Sequence, residues 1–171
     1  MKIEYIIIHH TGGTDSNPLA DTSSHTASMI DFYHKSKGWD GIGYNWFIEK
    51  DGRIVKGRDE TKVGAHTKGY NDKSIGVCLA GNFDLTTPTK EQTESLKKLL
   101  NEKILQYNIP IQNIVPHRKF ANKTCYGKNL SDTWGQELVS DIRVINKQKV
   151  LDFINETRQS LNKLEEAIKK I

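Results

Sequence analysis

The chain opens on "MKIE" and then runs into "YIIIHH", a continuous apolar stretch rich in β-branched residues and closed by two histidines. Such a run, followed by the turn-rich "TGGTDSNP", predicts a strand buried on both faces. From Ser24 the pattern turns helical, with Met29, Ile30, Phe32 and Tyr33 apolar and Gly38 in "SKGW" ending it. "GIGYNWFIEKDGRIVKGR" predicts a hairpin, because Asp51-Gly52 is a strong turn pair between two runs of β-formers. "SIGVCLAG" reads as a second buried strand. Thr89 and Gln92 have the spacing of a capping box at the head of the helix "KEQTESLKKLLNEKILQYN", and "IQNIVPH" is a last strand. Strands and helices in this order predict an α/β fold: a single domain with a central mixed, mostly parallel β-sheet flanked by helices. Ligands of such sheets gather outside the strand ends, where His9 and His117 both fall.

Beyond Asp141 the pattern changes. "NKQKVLDFINETRQSLNKLEEAIKKI" has the character of one helix, without proline or glycine. Ile154, Leu161 and Ile168 fall seven apart, as do Val150, Thr157, Leu164 and Ile171. That is a narrow seam of about three heptads, with Thr157 as its flaw. The expectation is therefore a domain over residues 1–141 and a C-terminal helical tail over 142–171. A seam this narrow favours weak homo-oligomerisation through a short coiled coil over packing on the chain's own domain.

Composition changes the picture little. The chain has 171 residues, 36% hydrophobic and 27% charged, as expected of one ordinary globular domain. A net charge of +4 suits an anionic partner without choosing one. No long basic run and no aromatic–basic interleaving occurs, so nucleic acid is not an expected partner. No stretch has the length of a transmembrane segment, and the first residues lack the apolar region and cleavage site of a signal peptide. A cytoplasmic location follows as the expectation. Cys78 and Cys125 could pair only with each other, and free thiols are the expected state in that compartment.

The chemistry lies in "VPHRKFANKTC", where His117 and Cys125 stand eight residues apart. Imidazole and thiolate are favoured zinc ligands, but two do not hold a metal. The third should come from the end of the first strand, as His9 or His10. Side chains alternate across a strand, so only one of the pair can join, and periodicity does not choose between them. Two histidines and a cysteine leave a fourth position open, as catalytic zinc sites do.

Four segments, "IIIHHT", "GWDGIGYNWFIEKDGRIVKGRDE", "GAHTKGYNDKSIGVCLAGNF" and "PHRKFANKTC", occur in this order. Together they closely resemble the type 2 N-acetylmuramoyl-L-alanine amidases, a family that includes phage amidase-type lysozymes and peptidoglycan-recognition proteins. The resemblance covers roughly Lys2 to Leu138. It implies a zinc-dependent peptidoglycan hydrolase that cuts the amide between N-acetylmuramic acid and L-alanine, as a bacteriolytic endolysin of a phage or prophage. It implies Zn²⁺ held by His9, His117 and Cys125, catalytic roles for Tyr44 and Lys123, and a substrate-binding role for His66. Peptidoglycan or its muropeptides are the implied partner. Two rivals share the fold: a non-catalytic muropeptide-binding module, and an amidase that also inhibits an RNA polymerase.

The remaining candidates receive plainer roles. His10 supports the site from behind or packs against it, His34 packs or lies at the surface, His25 is solvated, and Cys78 is a small buried thiol. No glutamate stands in the motif where some branches place a base. One departure is local: many relatives follow the cysteine with Pro-Gly, whereas here Cys125 is followed by Tyr126-Gly127. Losing proline is expected to cost rigidity, and the tyrosine to offer a stacking surface for a sugar or peptide.

Overall fold

The computed structural model describes residues 1–14, 16–139 and 142–168, and the side chains of all these except 142–150 and 164–167. The chain forms two compact units, Met1–Val139 and a C-terminal helical segment. In the first unit β1 (Tyr5–His10) is followed by α1 (Ala27–Ser36), the hairpin β2 (Trp46–Ile48) and β3 (Ile54–Lys56), and β4 (Ser74–Leu79). Helix α2 (Lys90–Tyr107), β5 (Ile114–Pro116) and the short α3 (Trp134–Glu137) complete it. The strands form one five-stranded sheet in the order β3-β2-β4-β1-β5. All pairings are parallel except that of β2 with β3. The architecture is the mixed, mostly parallel α/β sheet that the alternating pattern predicts.

β1 is the middle of this arrangement. It pairs with β4 on one side and β5 on the other, and Ile6, Ile7 and Ile8 are fully buried. On one face Ile6, Ile8, Ile75, Val77 and Leu79 join the α2 residues Leu96, Leu99 and Leu100. On the other, Phe47, Cys78 and Ala80 pack with Ala27 and Ile30 of α1. Because the pleat has period 2, His10 continues the first face and His9 the second.

The capping box of α2 forms: Thr89 Oγ1 accepts from Gln92 N at 3.0 Å, and Gln92 Oε1 accepts from Thr89 N at 3.2 Å. Gln92 Nε2 also donates to Ala80 O at 2.8 Å, tying the helix start to the end of β4. Gly52, at φ +85°, makes the hairpin turn where Asp51-Gly52 predicts it.

Three details differ from expectation. The buried stripe of α1 is Ala27, Ile30 and His34, whereas Phe32 is 75% exposed and Met29 and Tyr33 also face outward. Spacing decides this, since positions 27, 30 and 34 share one helix face and 32 lies opposite. His25 does not stand free in solvent: its Nδ1 is buried with no hydrogen-bond partner among the described residues. The segment "IQN" is a 3₁₀ turn rather than strand, so β5 is only three residues long. Cys78 and Cys125 are free thiols.

The second unit holds α4 (Ile142–Ile168), on which Ile154, Leu161 and Ile168 are exposed. Thr157 is exposed too, whereas the side chains of Val150 and Leu164, and Ile171, the remaining seam positions, lie outside the described residues. No described helix is long and apolar enough to cross a membrane.

A buried ion pair braces the outer side of the sheet. Lys103, 3% exposed, reaches Glu60 at 2.9 Å and lies 4.6 Å above the Trp46 ring. Glu60 also accepts from Trp46 Nε1 at 2.5 Å and Tyr107 OH at 2.7 Å. Burial pushes the Glu60 carboxyl up, but these donors and the Lys103 ammonium outweigh it and hold it below its ordinary value. Its stabilisation is therefore complete above the unfolded carboxyl pKa of about 4.3 and fades as pH falls through the lower folded value. Glu60→Gln should lose about 3 kcal/mol at pH 7, the scale of breaking a buried pair. In urea titrations the gap between wild type and variant should narrow at pH 3 and below; a gap independent of pH would refute the role assigned to the charge.

Candidate active site

β1 delivers His9 to the α1-side face at the end of the sheet, in register with Cys78 of β4. His117 begins a 3₁₀ turn directly after β5, so it emerges at the same end. The chain then runs out through an exposed loop and returns, closed by Arg118 N donating to Cys125 O at 2.7 Å. His9 Nδ1 ends 3.7 Å from Cys125 Sγ, and the His9 and His117 rings are 4.5 Å apart between centroids. One ligand atom from each of His9, His117 and Cys125 falls within 4.8 Å of the others.

His10 is not part of this group. Its Nδ1 accepts from Phe83 N at 2.9 Å, on the opposite face of β1. Burial lowers its pKa to about 4, with Asp84 working the other way. The pleat, which periodicity alone could not phase, thus brings His9 rather than His10 to His117 and Cys125.

Burial sets the protonation states. It holds His9 well below the ordinary imidazole value, helped by His66, His117, His10 and Lys123. His117 is lowered to about 4 by burial and by Lys123, and burial pushes the Cys125 thiol up to about 12. The imidazoles are neutral at pH 7, the form a metal would need, and a divalent cation would supply the drive to deprotonate the thiol. Donor geometry agrees with zinc: ligand atoms at the usual bond lengths around a tetrahedral ion stand roughly 3.3–3.6 Å apart, close to the His9–Cys125 separation. The residues present fit a zinc ion.

Around this cluster lies a cleft of about 700 Å³, to which Tyr44, His66 and Lys123 contribute. The Tyr44 ring is 5.1 Å from that of His9, and burial raises its phenol well above the ordinary value. The phenol therefore keeps its proton at neutral pH and can donate a hydrogen bond. His66 Nδ1 meets His9 Nε2 at 3.1 Å and Thr67 Oγ1 at 3.1 Å. With Nδ1 of His9 turned to Cys125, the Nε2 hydrogen falls to His66, so His66 holds the orientation of the His9 ring as well as lining the cleft. Its own pKa is lowered to about 3 by burial and by His117. Lys123 lies on the exposed loop, and its charge acts on His9, His117 and Cys125.

Two further residues line the cleft, and sequence reasoning gave neither a role there: His34 was assigned only to packing or the surface. His34, with Nδ1 accepting from Gly43 N at 3.1 Å, stacks on Trp39 at 4.5 Å, and both line the cleft. The signal was present, since His34 has the inward spacing of α1. Tyr126 corrects an expectation: it offers no surface for a sugar, being 1% exposed. Its hydroxyl donates to Ser131 O at 2.7 Å and its ring meets Trp134 edge-on, so it anchors the loop to the core.

A mixed sheet with helices on both faces and a His–His–Cys cluster at its strand ends places the chain among α/β proteins with a candidate hydrolytic metal centre. Residues 1–128 match a family model described as N-acetylmuramoyl-L-alanine amidase, and the chain belongs to that family. The endolysin of Klebsiella phage KP32 is 38% identical over 114 residues, covering 63% of this chain and 74% of the endolysin. The N-acetylmuramoyl-L-alanine amidase LysC from Clostridium intestinale has a solved structure similar to this one, with TM-score 0.69 and 31% identity. That match covers 84% of this chain and 87% of LysC. A mutant of Drosophila peptidoglycan-recognition protein LB in complex with tracheal cytotoxin matches with TM-score 0.63 and 30% identity, over 75% of this chain and 77% of that one. The family and these relatives support a peptidoglycan amidase.

The space for His66 depends on glycine. A Cβ on Gly76 would lie 2.5 Å from His66 Cδ2, and one on Gly64 2.7 Å away. Gly76→Ala should therefore displace the ring, costing about 1–3 kcal/mol in stability and weakening whatever function requires the His9–His66 contact. An unchanged melting temperature with unchanged activity would show that the ring moves aside at no cost.

Proposed function

We propose that the protein is a zinc-dependent N-acetylmuramoyl-L-alanine amidase that cuts peptidoglycan between N-acetylmuramic acid and L-alanine, as an endolysin of a phage or prophage. The observation that carries this reading is the convergence of His9, His117 and Cys125 in an open cleft. His9 through Nδ1, His117 and Cys125 hold Zn²⁺. When bound, the ion supplies Lewis acidity toward the scissile carbonyl and lowers the pKa of water toward about 7.

The protein's own groups do the rest. The Lys123 ammonium sets positive charge against the carbonyl oxygen as it becomes an oxyanion, where a positioned charge is worth most. Tyr44 stays protonated and donates a hydrogen bond to the nucleophile or to the developing oxyanion. His66 holds the His9 ring through its Nε2 hydrogen and borders the path of the stem peptide. The tracheal cytotoxin complex of the similar recognition protein supports muropeptides as the ligand class. A purely binding module is the weaker alternative, since it would need neither Cys125 nor Lys123. Polymerase inhibition has no feature in the cleft to favour it. An endolysin of this type waits in the host cytoplasm and reaches the wall after release.

The purified protein should carry about one zinc per chain, and chelation should remove the metal and muropeptide hydrolysis together. Cys125→Ser should weaken the metal and abolish hydrolysis while far-ultraviolet circular dichroism stays the same. Full hydrolysis by zinc-free wild type would end the proposal.

Lys123→Ala should keep its zinc and lose about 10²–10³ in kcat, the scale of removing one oxyanion partner. A near-normal kcat in that variant would return Lys123 to an ordinary loop residue.

A further inference from the structure

The ligand thiol sits on a loop that is mostly open to solvent: Lys119, Asn122, Lys123 and Thr124 are all exposed. The hydrophobic core reaches this loop at Tyr126, and the contacts of Arg118 show what holds the rest of it. Its backbone N–H donates to Cys125 O at 2.7 Å. Its guanidinium Nη1 donates to Thr124 O at 3.2 Å and Gly127 O at 2.6 Å, so it grips the chain on both sides of Cys125. Nη2 donates to Leu130 O at 2.6 Å and Nε to Asp132 Oδ1 at 2.5 Å, and the cation lies 5.2 Å from the centre of the Tyr126 ring. The side chain is only 20% exposed.

Three carbonyls and a carboxylate converging on one side chain need a rigid planar fork with several N–H donors. Arginine supplies five in fixed directions, whereas lysine offers three from a single point. The same residue follows His117 directly in the chain. Its backbone thus continues from one proposed ligand while its side chain holds the loop of another.

We propose that Arg118 is the positioning residue of the metal centre, setting the place of the Cys125 sulfur relative to His9 and His117. It takes over the stiffening that proline gives many relatives, with Tyr126 anchoring the loop below. Asp84 holds the far side, accepting from Thr124 Oγ1 at 2.6 Å and Lys128 N at 2.8 Å. This assignment rests on the zinc reading above.

The test compares metal-free wild type, Arg118→Ala and Arg118→Lys. Zinc affinity is measured by competition with a chromophoric chelator, and the thiolate-to-metal charge-transfer band by titration with Co²⁺. Both variants should bind zinc about 10–100-fold more weakly, the usual effect of losing an outer partner of a metal ligand. The cobalt band should weaken with them. Guanidinium ion at low millimolar concentration should restore part of the affinity in Arg118→Ala, where it can occupy the emptied fork site, but not in Arg118→Lys. Zinc affinity equal to wild type in either variant overturns the proposal. So does a loss in Arg118→Ala that guanidinium leaves untouched and that matches a fall in metal-free melting temperature. If Arg118→Ala does not fold, Arg118→Lys decides by its affinity alone. Failure of the zinc reading is distinct: wild type itself would then show neither zinc binding nor the cobalt band.

Discussion

The arrangement depends on one strand that is buried on both faces. β1 is paired on each edge, so its backbone hydrogen-bonding groups are met by neighbours and its side chains must serve two different cores. Isoleucines 6 to 8 meet that demand. The same pleat that sends Ile6 and Ile8 toward α2 sends His9 to the other side, beside Cys78 and below Tyr44. A slip of one residue would turn His9 to the face that His10 now occupies, away from His117 and Cys125. Tight packing around β1 therefore serves geometry as much as stability, because a slip would have to empty both buried faces.

Burial then shapes the chemistry. In the cleft it depresses the imidazoles and raises the thiol and the phenol, so these groups favour their neutral forms at pH 7. Lys123 and Asp84 bring one charge of each sign to the cleft wall. Neutral donors beside the Lys123 cation are suited to a divalent metal that brings its own charge and to a reaction that develops negative charge on oxygen. The loop that carries Cys125 is not built on the sheet. Its order comes from polar contacts, through Arg118 and Asp84, and from the buried Tyr126.

Much of this was legible in the chain. Strand and helix positions followed from apolar periodicity, the turn at Gly52 and the cap at Thr89 from local residue chemistry, and the candidate ligands from residue types at strand ends. What was misjudged shares a cause. Phe32 and Tyr33 entered the apolar pattern of α1, yet the helix turns Ala27, Ile30 and His34 inward. Tyr126 was expected at the surface because it follows a ligand loop, yet a space between Trp134 and Arg118 accepts it. His25 was placed in solvent, and its Nδ1 is buried.

Local pattern determined, by itself, which segments are strands and helices and that the sheet is mixed and mostly parallel. These depend on hydrogen bonding and hydrophobicity over a few residues, which the order of side chains carries directly. Periodicity left His9 and His10 open and only the family resemblance pointed to His9; the tertiary structure brings His9 to the cluster, since the phase of a doubly buried strand is set by what packs on each face. It alone decided that His66 meets the far nitrogen of His9 from 57 positions along the chain, and that Arg118 closes the loop around Cys125. Those contacts join residues whose separation in the chain says nothing about their distance in space.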